Sequence, residues 1–297
     1  MNLGNTFHHD SQRISLLCFM RSDKAVRERI MKSVPYKVGA TSMVFGEDLL
    51  ENVRLLAGVV DHIEIILFHT PSLHNIPSPH QIRALKSIRE QEDVTFTVHL
   101  PDSLEIASSD KSRRKESVQL ATELCLKLNG LDPEYYVLHI PFTPPTLVPV
   151  PGLYFHTANE QDWDGWTQRA FESLEMFHEG IGQNNKLLVE NINYSPCFLE
   201  PFCKEGLSGL CLDIGHLMLG KEDVMEVMRQ VMDVTRIIHL HGVKGYEEHL
   251  SLSILPRDLV YGLLGYLKEA SYQGVIVLEV FNARDLEESM NILLKTS

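Results

Sequence analysis

The chain has 297 residues, 44% of them hydrophobic, and a formal net charge of −13. That is enough apolar side chain for one sizeable core. The acidic balance disfavours a nucleic-acid partner, because a phosphate-tracking groove needs clustered Lys and Arg and only Lys111–Lys115 forms a short basic run. Five cysteines (Cys18, Cys125, Cys197, Cys203 and Cys211) make an odd number with no CxxC pair, and read as free thiols of a reduced, cytoplasmic protein. The first apolar run, Ile14–Met20, is short and lacks a small-residue cleavage site. No run approaches the roughly 18 apolar residues of a membrane helix, so no membrane partner is expected.

Along the chain, Met1–Asp10 reads as disordered and Asp23–Ser33 as a short amphipathic helix capped by Ser22 or Asp23. Residues 1–35 are taken as an N-terminal extension and 36–297 as a single domain. Eight strands are expected: Val38–Ser42, His62–Phe68, Val94–His99, Tyr136–Ile140, Lys186–Glu190, Gly209–Asp213, Arg236–His241 and Val275–Val280. Helical patterns separate them, at Asp48–Ala57, Pro79–Gln91, Arg113–Leu128, Trp163–Glu179, Glu222–Val231, Pro256–Ala270 and Asp285–Leu294. Strict strand–helix alternation implies parallel βα units, and eight of them imply an α/β fold closed as a (β/α)8 TIM barrel, typically about 250 residues. An open doubly wound sheet competes, but it would place ligands at one switch point and not on most strands.

The side-chain period says which residues face inward. Thr95, Thr97 and His99 share one strand face, and Phe96, Val98 and Leu100 share the other. The same parity pairs Glu190 with Leu188, Asp213 with Cys211, and His239 with Ile237 and His241. Two long connections follow strands: Pro141–Asp162, rich in proline and aromatics, and the Pro-rich His69–Pro79. Loops of that kind often serve as lids or binding loops.

Metal-type side chains recur at or near the strand ends, in FTVHL, YVLHI, LLVEN, LCLDIGH, IIHLH and IVLEV. In a barrel these ends converge on one face. Glu190, Asp213, His239 and Glu279 make a four-ligand set of three carboxylates and one imidazole. His99 and His139, sharing Glu190, would hold a second ion, and His216 and His249 with Glu247 a third. A mixed O/N set accepts zinc, manganese or iron, and adjacent ions suit phosphodiester hydrolysis. Set against this, a lone strand-end histidine is more often a hydrogen-bonded core residue. His241 then reads as a donor behind a ligand, and Glu64 as a paired core carboxylate. His62, His69, His74 and His156 read as surface residues. Lys244 either binds a phosphate or sits in solvent.

HLP, HIP, VEN, CLDIGH, HLHGVK, EEHLSL and LEVF together resemble the xylose-isomerase-like barrel superfamily. Within it, the ligand set is similar to that of the type-IV apurinic endonuclease group of trinuclear zinc enzymes. One departure stands out: Glu247-Glu248-His249 replaces the group's Asp-x-His. A closer resemblance is to the cobamide-remodelling phosphodiesterase family (CbiR), carried by KVGATSMVFGEDLLENVRLLAGVVDHIEIILF, FTVHLPDSLEIASSDKSRRKESVQLA, CLDIGHLML, RIIHLHGV, HLSLSIL and VLEVFN.

That resemblance implies a metal-dependent enzyme that hydrolyses the phosphoribosyl linkage of a cobamide such as adenosylcobalamin, releasing cobinamide phosphate and the α-riboside of the lower ligand. It implies two or three divalent ions, zinc first. Glu190, Glu279 and His216 become the expected catalytic residues. Lys244, His241, Tyr154 and Phe155 become the expected substrate contacts, with Trp163 and Trp166 read either as further aromatic contacts or as helix core. The rival is a sugar or sugar-phosphate isomerase or epimerase using one ion on Glu190, Asp213, His239 and Glu279, with no ligand role for His99 and His139. Abasic-DNA repair and a non-catalytic corrinoid carrier are weaker alternatives.

Overall fold

The computed structural model describes residues 34–70, 74–142, 160–182 and 186–296. The helix expected over Asp23–Ser33, the stretch Met1–Asp10, residues 71–73, His156, Tyr154 and Phe155 lie outside the described residues.

Seven strands come first: β1 (Lys37–Thr41), β2 (His62–Ile66), β3 (Thr95–His99), β4 (Tyr136–His139), β5 (Leu187–Glu190), β6 (Gly209–Asp213) and β7 (Thr235–Leu240). A hairpin of β8 (Gly242–Lys244) and β9 (Glu247–Leu250) follows, then β10 (Val275–Leu278). All but the hairpin are parallel and close one barrel, in which β7 pairs with β10 and β10 with β1. The helices are α1 (Leu49–Ala57), α2 (Pro79–Glu92), α3 (Lys111–Leu128), α4 (Glu160–Ile181), α5 (Glu200–Lys204), α6 (Ile214–Leu219), α7 (Val224–Val231), α8 (Arg257–Glu269) and α9 (Ala283–Thr296). None among the described residues is long and apolar enough to cross a membrane.

Local chemistry explains where the helices begin. Asp48, Ser78, Asp110 and Asp223 each accept a backbone N–H of the first helical turn, and Ser78 forms a reciprocal capping box with Gln81 ahead of Pro79. The β8–β9 hairpin and the short helices α5 and α6 have no counterpart among the expected elements, being too short for a periodic signal.

Strand alternation sorts the core as expected. Val137, Leu188, Cys211, Ile237, Val275 and Val277 form a cluster of their own inside the barrel. Their outward neighbours, such as Phe96, Val98, Leu138, Val189 and Leu212, join the larger core beneath the helices. His62 corrects the sequence reading: it is fully buried, with Nδ1 2.8 Å from Thr95 Oγ1. Burial, with the charges of Lys37 and His239, pushes its pKa down to about 3, so it is neutral. Gly39 makes room for it, since a Cβ there would lie 2.9 Å from the His62 carbonyl oxygen.

Trp163 and Trp166 are core residues. Trp163 is stacked between Phe142 and Phe198 at centroid distances of 3.7 and 3.8 Å. Trp166 is buried and donates from Nε1 to the Pro141 carbonyl at 3.1 Å.

The interior cluster supports the layer of polar residues above it. Ile237→Ala removes a fully buried side chain from that cluster and should cost about 2–5 kcal/mol. A fall in the urea midpoint at unchanged slope is the expected measurement, and an unaltered midpoint would contradict this packing.

Candidate metal centre

The parallel register brings His139 level with Glu190 and Asp213 level with His239. With His99 and Glu279 these residues meet at the C-terminal mouth of the barrel. Glu190 is central. Its Oε2 lies 3.3 Å from His99 Nε2, 3.3 Å from His139 Nε2 and 3.4 Å from His239 Nδ1. His239 Nδ1 also lies 3.3 Å from Glu279 Oε2 and 3.8 Å from Asp213 Oδ2. Ligand-type atoms of Glu190, Asp213, His239 and Glu279 all fall within 4.8 Å of one another, as do those of His99, His139 and Glu190.

Five histidines each have one ring nitrogen facing an acceptor. The other nitrogen of His99, His139 and His239 is turned to this cluster, and that of His216 and His249 to Glu248. His99 Nδ1 meets the Leu100 carbonyl at 2.8 Å, and His139 Nδ1 meets Asp102 Oδ1 at 3.3 Å. His216 Nδ1 meets the Asn191 carbonyl at 2.8 Å, and His249 Nδ1 the Glu279 carbonyl at 3.3 Å. His239 Nε2 meets Glu64 Oε2 at 3.3 Å, deep in the barrel where both residues are fully buried. A tether of this kind fixes the tautomer and leaves the free nitrogen's lone pair for a cation.

His241 is oriented the other way. In the neutral ring the His249 backbone N–H donates to Nδ1 at 3.0 Å and the proton sits on Nε2, 3.4 Å from Asp213 Oδ2; in the charged ring Nδ1 faces the Gly242 carbonyl at 3.3 Å. It is fully buried and supports Asp213; it does not contact substrate space. Asp213 is divided between two tasks. Oδ1 caps α6 through the His216 N–H at 2.5 Å, and Oδ2 faces His239 and His241. The glycine of DIGH is needed here, because a Cβ on Gly215 would overlap the His241 ring at 1.9 Å.

These residues fit a divalent cation. Glu190 Oε2, Asp213 Oδ2, Glu279 Oε2, His239 Nδ1 and His139 Nε2 are buried atoms without a hydrogen-bond partner, an arrangement a protein interior tolerates when a cation supplies the missing partner. Burial would raise the Glu190 carboxyl, but His239 and His139 hold it well below the usual range. Burial likewise opposes the charge on Glu279, and His239 with His249 holds it low. Burial would lower His99, yet its hydrogen bond and attraction to Glu190, with Glu64 and Asp102, raise it to about 10. His241 is raised to about 9, the charge of Asp213 outweighing burial.

The third ligand group differs from expectation. Glu247 is exposed on β9 and is not part of the cavity lining. Glu248 takes its place, 3.9 Å from His216 Nε2 and 3.8 Å from His249 Nε2. Strand alternation would pair Glu247 with His249, but His249 has a left-handed backbone (φ 57°) that breaks it. Lys244 is exposed on the hairpin and does not line the cavity either. Asp102, in HLPD, and Glu248 were missed by the sequence reading. The spacing of Asp102, three residues after His99, was the available signal for the first.

The cluster opens into a cavity of about 500 Å3 lined in part by His99, Asp102, His139, Glu190, His216 and Glu279. A larger one of about 890 Å3, at the opposite end around Lys37 and Arg236, contains none of these ligands. In this fold the chemistry sits at the C-terminal mouth.

Residues 57–296 match the family model described as the xylose isomerase-like TIM barrel. An uncharacterised protein of Methanocaldococcus jannaschii is 28% identical over 269 residues, covering 86% of this chain and 88% of that protein. A solved D-tagatose 3-epimerase-like protein superposes with a TM-score of 0.67 at 26% identity, over 88% of this chain and 96% of its own. Endonuclease IV of Thermus thermophilus superposes at 0.62 with 16% identity, over 87% and 99%, a likeness of fold alone. Further matched structures include D-psicose and D-allulose 3-epimerases.

Glu64 tests the tethers. Glu64→Leu should weaken metal binding by about 10–100-fold in a chelator competition, with Glu64→Gln, which keeps an acceptor for His239, losing less. Equal affinity in all three proteins would remove Glu64 from the centre.

The metal-free protein should also show a defined pH window. The raised His99 pKa stabilises the fold fully below its unfolded value of 6.5 and loses that effect as pH rises towards 10. The depressed Glu190 and Glu279 stabilise above 4.5 and lose it as pH falls. His62, held down to about 3, adds a stabilising share that is lost as pH falls below 6.5, so a melting series on chelated protein should peak near 6.5. A Tm still climbing at pH 9 would contradict these charge assignments.

Proposed function

The chain belongs to the family of xylose isomerase-like TIM barrels, and from that premise we propose that it is a cytoplasmic, metal-dependent phosphodiesterase. Its proposed substrate is a cobamide such as adenosylcobalamin, cut at the phosphoribosyl linkage of the nucleotide loop to give cobinamide phosphate and an α-riboside. One observation carries the reaction class: a single carboxylate, Glu190, faces two ligand groups at once, with Oε2 3.3 Å from His99 and His139 and 3.4 Å from His239. His99, His139 and Glu190 would hold one ion, and Glu190, Asp213, His239 and Glu279 the next. His216, Glu248 and His249 form a more open third group.

Adjacent divalent ions lower the pKa of water towards about 7 and neutralise charge on a phosphodiester. The chain's own part is to place and dry that chemistry. Glu190 fixes the spacing of the two groups, Glu279 offers its buried Oε2 to the second ion at the cavity wall, and His216 Nε2 borders the open side. The cobamide assignment rests on the sequence resemblance. No Lys or Arg is among the described cavity-lining residues, which gives a nucleic-acid backbone nothing to grip.

A second reading is favoured by a specific observation and by the run of matched epimerase structures. Glu190, Asp213, His239 and Glu279 form a complete four-ligand group by themselves. One ion there, with the two glutamates moving a proton, suits a sugar epimerase. That reading leaves His99 and His139 without a function.

The deciding experiment incubates metal-loaded protein with adenosylcobalamin under reducing, oxygen-free conditions, resolves products by mass and counts ions per chain. Cobinamide phosphate and α-riboside, at least two ions, and loss of both metal and turnover in Glu190→Ala are expected. One ion, intact adenosylcobalamin and epimerisation of a ketohexose such as D-tagatose would replace the first reading with the second.

A further inference from the structure

The barrel mouth is divided into two sectors. The strands from β3 to β7 carry His99, His139, Glu190, Asp213 and His239. The neighbouring arc of β10, β1 and β2 contributes Glu279 and, on the segment after β1, the exposed Glu47, and its other cavity-lining side chains are apolar. Met43 and Val44 follow β1, Ile66 ends β2, Phe68 lies just beyond it, and Phe281 follows β10. These three strands are hydrogen-bonded neighbours, and the apolar side chains at their ends line the same cavity as the ligand cluster.

Phe281 is 41% exposed, with its ring 4.8 Å from that of His249. Phe68 is half-buried, while Val44 and Ile66 are buried behind them. Two aromatic rings left open to a cavity beside a charged cluster form a surface suited to a flat apolar partner.

What the lining lacks sharpens the point. Among the described lining residues there is no Ser, Thr, Asn, Gln, Lys or Arg. A free sugar would need neutral donors and acceptors for its hydroxyls, and hydroxyls left unpaired against this wall would be penalised. With no Lys or Arg among the described lining residues, the group on this side that would hold an anion is the metal centre.

We propose that the β10–β1–β2 wall, centred on Phe68 and Phe281, is a subsite for a planar unsaturated ring attached to the oxyanion that the metal centre holds. The substrate class is therefore an oxyanion ester bearing an aromatic or conjugated group close to the reacting centre. The inference rests on the metal-centred reading above and adds to it the chemistry of the group beside the reacting atoms.

Calorimetric titration of full-length, zinc-loaded protein with phenylphosphonate and with methylphosphonate tests it. The two probes share an oxyanion and differ in the ring. Phenylphosphonate should bind at least about tenfold tighter. That ratio should fall to about threefold or less in the Phe68→Ala/Phe281→Ala protein, with Phe281→Leu between, because it keeps apolar area but not the flat face. Thermal melts of the zinc-loaded variants establish that they are folded.

Methylphosphonate binding with no advantage for the phenyl probe would overturn the subsite and leave the proposed function standing. So would an advantage that survives the double substitution. Failure of both probes to bind protein shown to hold zinc would overturn the oxyanion site itself, and the inference with it. A phenyl preference that collapses as expected, in a protein that does not hydrolyse adenosylcobalamin, would sustain the subsite and count against the phosphodiesterase reading alone.

Discussion

The structure depends on one electrostatic constraint: Glu190 is a charged carboxylate with 1% of its surface exposed. Taking such a group out of water costs several kcal/mol unless positive charge replaces the lost solvent. The barrel places imidazole nitrogens of His99, His139 and His239 all within 3.4 Å of one oxygen, from three directions. Without a metal ion the charged rings of His99 and His239, their pKa values raised, supply the positive charge, and a bound cation would supply it when the same nitrogens present lone pairs. Those three residues come from β3, β4 and β7, so only a closed sheet with this register can bring them to one point. The closure of the fold and the electrostatics of the site are therefore the same requirement.

A second constraint follows from the first. Imidazoles crowded around a carboxylate could be satisfied as plain ion pairs, with protons filling the gaps. Here the far nitrogens of His99, His139 and His239 are individually tied, to the Leu100 carbonyl and to the carboxylates of Asp102 and Glu64. Such tethers orient lone pairs inward, which an ion-pair cluster does not require and a metal centre does. His241 is the useful contrast. Its tether is a donor, the His249 N–H, so its Nδ1 has no lone pair left for the cluster, while its Nε2 faces Asp213 Oδ2 at 3.4 Å. Sequence type alone does not separate His239 from His241, two residues apart on the same strand face; their hydrogen bonds do.

Much of this was legible because a β-strand has a strict period of two and a barrel gathers strand ends. His99, His139, Glu190, Asp213, His239 and Glu279 could be placed together from those two rules. Where the rules are locally broken, the reading failed. The left-handed backbone at His249 exchanged Glu247 for Glu248, and no feature of EEH announces a positive φ at a histidine. His62 reads as a surface residue by default, although it shares parity with Glu64 and both are buried. Gly39, which opens the space for it, gives no signal until the neighbouring strand is in place. Asp102 lies beyond its strand, where periodicity has ended and only the turn sets its direction.

The balance between the two functional readings rests on β3 and β4. The group on β5, β6, β7 and β10 is a sufficient one-ion site and suits the chemistry of either. His99 and His139 are the additional investment, and an expensive one, since two further imidazoles must be desolvated and oriented against a carboxylate already shared. A one-ion epimerase would do better with neutral residues there, able to hydrogen-bond a sugar's hydroxyls. Instead those strands add nitrogen ligands, and the facing arc adds Phe68 and Phe281. A mouth that is rich in ligands on one side and apolar on the other favours a substrate that brings its own charge to the ions and its own flat, greasy surface to the wall.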